Sequence, residues 1–110
     1  MKWRGTYQGL KGYKSWKFKT SVMIIHFPPG ARHYKNGLFS LIYRFKGDEE
    51  PDKRAISAGI REILGSKGRY LTYIQSGAHT VTIEHYCFVD ALPEESQMVA
   101  LEDYLHNVSF

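Results

Sequence analysis

The chain has 110 residues, a length that suits one domain, and its 43% hydrophobic and 15% aromatic residues argue against disorder. Residues 1–47 hold ten Lys/Arg and no acid, whereas residues 48–110 hold five Lys/Arg and eleven Asp/Glu, a balance of −6. The single cysteine excludes an internal disulfide, and no apolar run approaches the ~20 residues of a membrane helix, so we expect a cytoplasmic protein without a membrane partner.

The first part of the chain predicts an arm followed by two strands. Residues 1–14 mix glycines with aromatic and basic residues, which suits a basic aromatic arm or hairpin, and residues 15–110 are expected to form the single domain. Alternating apolar residues over 16–27 predict one strand. An Asn-Gly turn signal then precedes the returning strand, at residues 38–45.

The remainder of the chain predicts a helix, two strands and a second helix. Apolar residues at helical spacing begin at Ile56, and Gly65 predicts the end of the first helix. Strands are predicted at residues 69–75 and 80–89, and the last helix should end near Asn107. Two hairpins, each followed by a helix, indicate an α+β domain.

In this architecture, an antiparallel sheet of four to five strands in ββαββα order carries both helices on one face. The other face is left to water or to a ligand. Within the predicted elements, Cys87 lies in an apolar run and should be a small buried hydrophobe, while Glu102 and Asp103 should lie on the exposed side of the last helix.

Basic residues interleaved with aromatics are the strongest functional signal. Lys and Arg neutralise phosphates, and exposed aromatic rings stack on unpaired bases, so the pattern favours a small DNA-binding or RNA-binding protein over an enzyme. The expected contacts are Lys11, Lys14, Trp16, Lys17, Lys19, Arg32, His33, Tyr34, Lys35, Arg44 and Lys46, with Trp3, Tyr7 and Tyr13 as further stacking candidates. Alternatively, Trp16, Phe18 and Tyr43 are core residues, and the lysines form a solvated edge that discourages strand pairing.

Other functions remain open from the same residues. Arg32, His33 and Lys35 would suit a metal-independent RNA-cleaving toxin, which needs a proton shuttle and cations around phosphate, although no catalytic residue is assigned. A charge-divided chain would also suit a phage or plasmid inhibitor that binds an acidic protein surface. If the acidic last helix of one copy packed against the basic arm of another copy, the chain would form a homodimer. No metal-ligand spacing or cofactor motif is present, so neither is expected.

Overall fold

The computed structural model describes residues 7–10, 13–18, 21–26, 37–89 and 93–108. In the first three strands, it describes the backbone and the side chain of Trp16. The elements are strands β1 (Tyr7–Leu10), β2 (Tyr13–Phe18), β3 (Ser21–His26) and β4 (Gly37–Lys46), helix α1 (Lys53–Leu64), strands β5 (Tyr70–Gly77) and β6 (Thr80–Val89), and helix α2 (Glu95–Val108).

The strands form one antiparallel sheet in the order β1-β2-β3-β4-β6-β5. The predicted α+β class is therefore confirmed, with an antiparallel sheet and two helices. The predicted four to five strands and the ββαββα order are not confirmed, because four strands precede α1 and the sheet has six strands among the described residues.

The single strand predicted over residues 16–27 is wrong. Two antiparallel strands, β2 and β3, occupy this stretch, and their register pairs Phe18 with Ser21 and Trp16 with Met23. No turn signal marks this reversal, because Lys19-Thr20, which separates the two strands in the sequence, contains none of the glycine or asparagine that tight hairpins favour.

The core lies between the sheet and both helices. Alternate residues of β4 and β6 are buried, and the buried stripes of α1 and α2 pack against them. The main contributors are Phe39, Leu41, Ile83, Cys87, Ile56, Ile60, Met98, Leu101 and Leu105. Burial of Cys87 confirms the expectation for this residue, and burial raises the pKa of its thiol.

Helix α1 has a defined cap at each end. The Asp52 side chain accepts a hydrogen bond from the Arg54 backbone N–H at 2.9 Å, and so satisfies one of the free donors of the first turn. Gly65 ends the helix as predicted, with a left-handed φ of 67° and its N–H directed to the Arg61 and Glu62 carbonyls. These caps fix the direction in which the chain leaves β4 and enters β5.

Trp16 and Glu102 correct two expectations together. Trp16 is 1% exposed, and its indole Nε1–H donates to the carboxylate of Glu102, which is fully buried on α2. Trp16 is therefore a core residue rather than a nucleic-acid contact, and Glu102 does not lie on the exposed side of its helix. A buried carboxylate needs donors, so an indole N–H is a suitable partner.

Candidate nucleic-acid interface

On the face of the sheet opposite the helices, none of the described elements covers strands β4, β6 and β5. We call it the open face, and its described residues are Leu38, Ser40, Ile42, Arg44, Lys46, Leu71, Tyr73, Gln75, Thr80, Thr82, Glu84, Tyr86 and Phe88. They alternate with the buried residues of the same strands, so the pleat that builds the core also builds this surface.

The open face is apolar and aromatic in its middle. Its large exposed side chains include Leu38, Ile42 and Leu71, and Tyr73 and Phe88 are 48% and 40% exposed. The register pairs Tyr73 with Glu84, and Phe88 lies four residues further along β6. The two rings are therefore about 13 Å apart along the strand direction.

Polar and charged groups lie within and beside the aromatic region, with Glu84 directly opposite Tyr73 in the register. The Tyr86 hydroxyl donates to Glu84 Oε2 at 3.3 Å, and burial, then the charge of Glu84, raises the pKa of Tyr86. The Arg44 Nε–H donates to Thr82 Oγ1 at 3.3 Å. Arg44 and Lys46 are exposed on the open face at the C-terminal end of β4. Glu84 is the one acid among the described residues of this face.

These two cations are the predicted contact residues that the structure describes as exposed. Trp16, as shown above, is buried. Lys14 and Lys17 lie in β2, where Trp16 is the one residue whose side chain is described. The other predicted contacts lie outside the described residues: Lys11, Lys19, Arg32, His33, Tyr34 and Lys35. This group includes the three residues considered for RNA cleavage. The stacking candidate Trp3 also lies outside the described residues.

A cavity of about 600 Å³ opens where the open face meets the start of β5. Its walls are mostly apolar side chains and are formed by Leu38, Gly68, Arg69, Tyr70, Leu71, Tyr86, Cys87 and Phe88. A flat ring or an apolar side chain would fit such a cavity better than a phosphate would.

A buried polar chain lies on the other side of the sheet, beneath α1. Ser57 Oγ is 2.8 Å from both the Lys53 carbonyl oxygen and Thr72 Oγ1, and Thr72 Oγ1 is 2.8 Å from His85 Nδ1. Each hydroxyl has one hydrogen, so all three contacts are hydrogen bonds only if His85 Nδ1–H donates to Thr72, Thr72 to Ser57, and Ser57 to Lys53. A neutral His85 then carries its hydrogen on Nδ1.

The ring of His85 is enclosed by aromatic and cationic neighbours. Tyr70 stacks on it with ring centroids 6.2 Å apart, and Arg61 Cζ lies 4.2 Å from the Tyr70 centroid. His85 Nε2 is buried and has no hydrogen-bond partner among the described residues. Burial, and then the charge of Arg61, lower the pKa of His85 to about 4. The chain of hydroxyls is therefore a structural feature of the core, with no route to a substrate among the described residues.

The sequence contains a second pattern, which indicates the open face. Alternation in LFSLIYRF and TVTIEHYCFV marks both faces of each strand, and the second apolar set, with Ile42 and Phe88, belongs to the open face. No local signal could have identified the Ser57, Thr72 and His85 chain, because its members are brought together by the pairing of β5 with β6.

The described residues contain no group of three or more His, Cys, Asp or Glu side chains placed to hold a metal ion. Neither α1 nor α2 is long and apolar enough to span a bilayer. Comparison of the chain with protein-family models, with curated proteins and with solved structures finds no match.

Proposed function

We propose that the protein binds single-stranded nucleic acid on the open face of its sheet. The observation that carries this proposal is a sheet face that no described element covers, with two exposed rings, Tyr73 and Phe88, and two exposed cations, Arg44 and Lys46. Exposed rings stack on unpaired bases, with a contribution of about 1–3 kcal/mol per base. Cations at the edge of the same face suit the phosphates between those bases.

The shape of the face favours single strands over duplexes. Bases in a duplex are stacked on one another and present only their edges, so a broad sheet with rings in its middle has little to contact. Unpaired bases can lie flat on the rings, as they do on the open sheets of RNA-recognition motifs, where helices also cover the opposite face. This parallel concerns the arrangement of layers alone.

The strand order adds support from the sequence. Strands β1, β2 and β3 come from the acid-free residues 1–47, and β3 pairs directly with β4 of the open face. The most basic part of the chain thus contributes strands to the same sheet. A positive field from these residues would raise the local concentration of a polyanion near the face.

The proposal is tested by anisotropy of a labelled single-stranded oligonucleotide with alanine variants. We expect Tyr73→Ala and Phe88→Ala each to weaken binding about 5- to 150-fold, because each removes one stacking platform. We expect Arg44→Ala to reduce the salt slope of log affinity by about 0.7.

Lys53→Ala is the matched control, because Lys53 is an exposed cation at the start of α1, on the helical side. It should bind like the unmodified protein. Unchanged binding by both Tyr73→Ala and Phe88→Ala, with thermal unfolding also unchanged, would show that the open face is not the binding site.

A second candidate is the binding of an acidic protein surface. The observation in its favour is the exposure of aliphatic residues, Leu38, Ile42 and Leu71, which suit a protein partner better than bases. This candidate predicts that the protein binds neither DNA nor RNA oligonucleotides at moderate salt, and that a stoichiometric protein is recovered with it after nuclease treatment.

A further inference from the structure

Strand β5 forms an edge of the sheet. It pairs with β6 along one side, and no other described strand lies along its second side. A strand in this position presents a row of backbone N–H and C=O groups that can pair with another strand. Over the eight residues Tyr70–Gly77, this row is about 27 Å long.

This edge lacks the usual protection against strand pairing. Natural edges carry charges, prolines or bulges, whereas the β5 sequence YLTYIQSG has neither a charge nor a proline. Its eight residues pair with β6 in unbroken register, so no bulge turns the edge away. On the open face, Leu71 and Tyr73 are 57% and 48% exposed, which provides apolar contact for an added strand.

The charges at the two ends of β5 have opposite signs. Exposed Lys67 and Arg69 precede its first residue. At its far end, Ser76 Oγ donates to Glu50 Oε1 at 2.9 Å, and Asp48 Oδ1 lies 2.7 Å from His79 Nδ1. The start of the strand is therefore basic, and its end is flanked by carboxylates.

We propose that β5 pairs antiparallel with β5 of a second copy of the chain, about a two-fold axis near the middle of the strand. The antiparallel direction sets the basic start of each strand beside the acidic end of the other, so Arg69 of one copy faces Glu50 of the other, twice by symmetry. A parallel pair would bring like charges together. The two sheets then continue as one, and both open faces remain uncovered.

The proposal is tested by sedimentation equilibrium of the full chain after nuclease treatment. We expect a reversible dimer, which Arg69→Glu and Glu50→Arg each weaken by about tenfold, because each reverses one partner of both ion pairs. The double variant R69E/E50R should dimerise like the unmodified protein, since it restores opposite signs across the interface.

Lys53→Glu is the matched control, with a similar charge change on α1, and it should leave dimerisation unchanged. Leu71→Lys should give a monomer, whereas Ile42→Lys, on β4 inside the sheet, should not. A monomer at every concentration overturns the proposal, even if β5 captures some other strand. So does a dimer in which Arg69→Glu has no more effect than Lys53→Glu.

Hydrogen exchange of the unmodified chain supplies a test that needs no variant. Amides of β5 that point away from β6 should exchange more slowly as concentration rises through the dimerisation range, because the second copy bonds them. Exchange in β5 that is independent of concentration, in a protein that dimerises, would place the interface elsewhere and overturn the proposal.

Discussion

His85 is held in its neutral form by its position in the core. In the hydrogen-bond chain through Thr72 and Ser57, Nδ1 is the donor, and no described residue offers an acceptor to Nε2. Adding a proton to Nε2 would create a buried N–H without a partner, next to the charge of Arg61. Such groups are unfavourable in a protein interior, which explains why the pKa of this histidine falls.

The lowered pKa of His85 predicts that stability falls as pH falls. The pKa of His85 is about 4 in the folded state and 6.5 in the unfolded state. Well above pH 6.5, His85 is neutral in both the folded and the unfolded state, and its full contribution to the free energy of unfolding is present. Between these values the unfolded state takes up the proton first, so stability is lost by about 2 kcal/mol between pH 7 and pH 5. Below about pH 4 the folded state is protonated as well, and this loss stops.

The measurement is urea unfolding of the chain and of His85→Asn at several pH values. Asparagine can still donate to Thr72 but does not titrate, so the variant should lose stability less steeply between pH 7 and pH 5. Equal slopes for the two proteins would mean that His85 is protonated as easily when folded as when unfolded.

At the scale of elements, the two helices meet at a glycine. A Cβ at Gly59 of α1 would overlap the ring of Tyr104 on α2, and the Tyr104 hydroxyl donates to the Ala55 carbonyl at 3.0 Å. Glycine inside a helix costs about 1 kcal/mol relative to alanine. The close contact of the two helices therefore requires glycine at position 59, although glycine lowers the helix propensity of α1.

This contact predicts that the effect of Gly59→Ala depends on Tyr104. In the unmodified chain the substitution should destabilise by about 1 kcal/mol, because displacement of the ring outweighs the propensity gain. In a Tyr104→Ala background it should stabilise by up to about 1 kcal/mol. Urea unfolding of the four proteins checks this. Equal stabilisation in both backgrounds would show that Tyr104 does not restrict this position.

Elements with a regular pattern and a clear end could be predicted from the sequence. Helix α1 combined helical spacing with a terminal glycine, and β6 was predicted with its observed bounds, Thr80–Val89. The reversal between β2 and β3 could not be predicted, because the apolar alternation continues across it and the intervening residues, Lys19-Thr20, are not of the types that mark hairpins. Periodicity reports which residues share a face, but it does not report where a strand reverses.

At the scale of the whole molecule, contacts between distant segments decide which aromatic residues are available. Trp16 donates to Glu102, 86 residues away, and no local pattern distinguishes this indole from an exposed one. The exposed rings of Tyr73 and Phe88 could not be distinguished from core aromatics by charge, because both lie in the part of the chain where acids outnumber bases.

The charge division of the sequence predicts that nucleic-acid binding depends on salt concentration. If the open face and the basic first part of the chain contact about six phosphates of a single strand, log affinity should fall against log salt with a slope near −4. The central claim is tested most directly by a salt titration of the unmodified chain against a labelled single-stranded oligonucleotide. Measurable binding with that slope is the predicted result, and the absence of binding, or an affinity that does not change with salt, would contradict it.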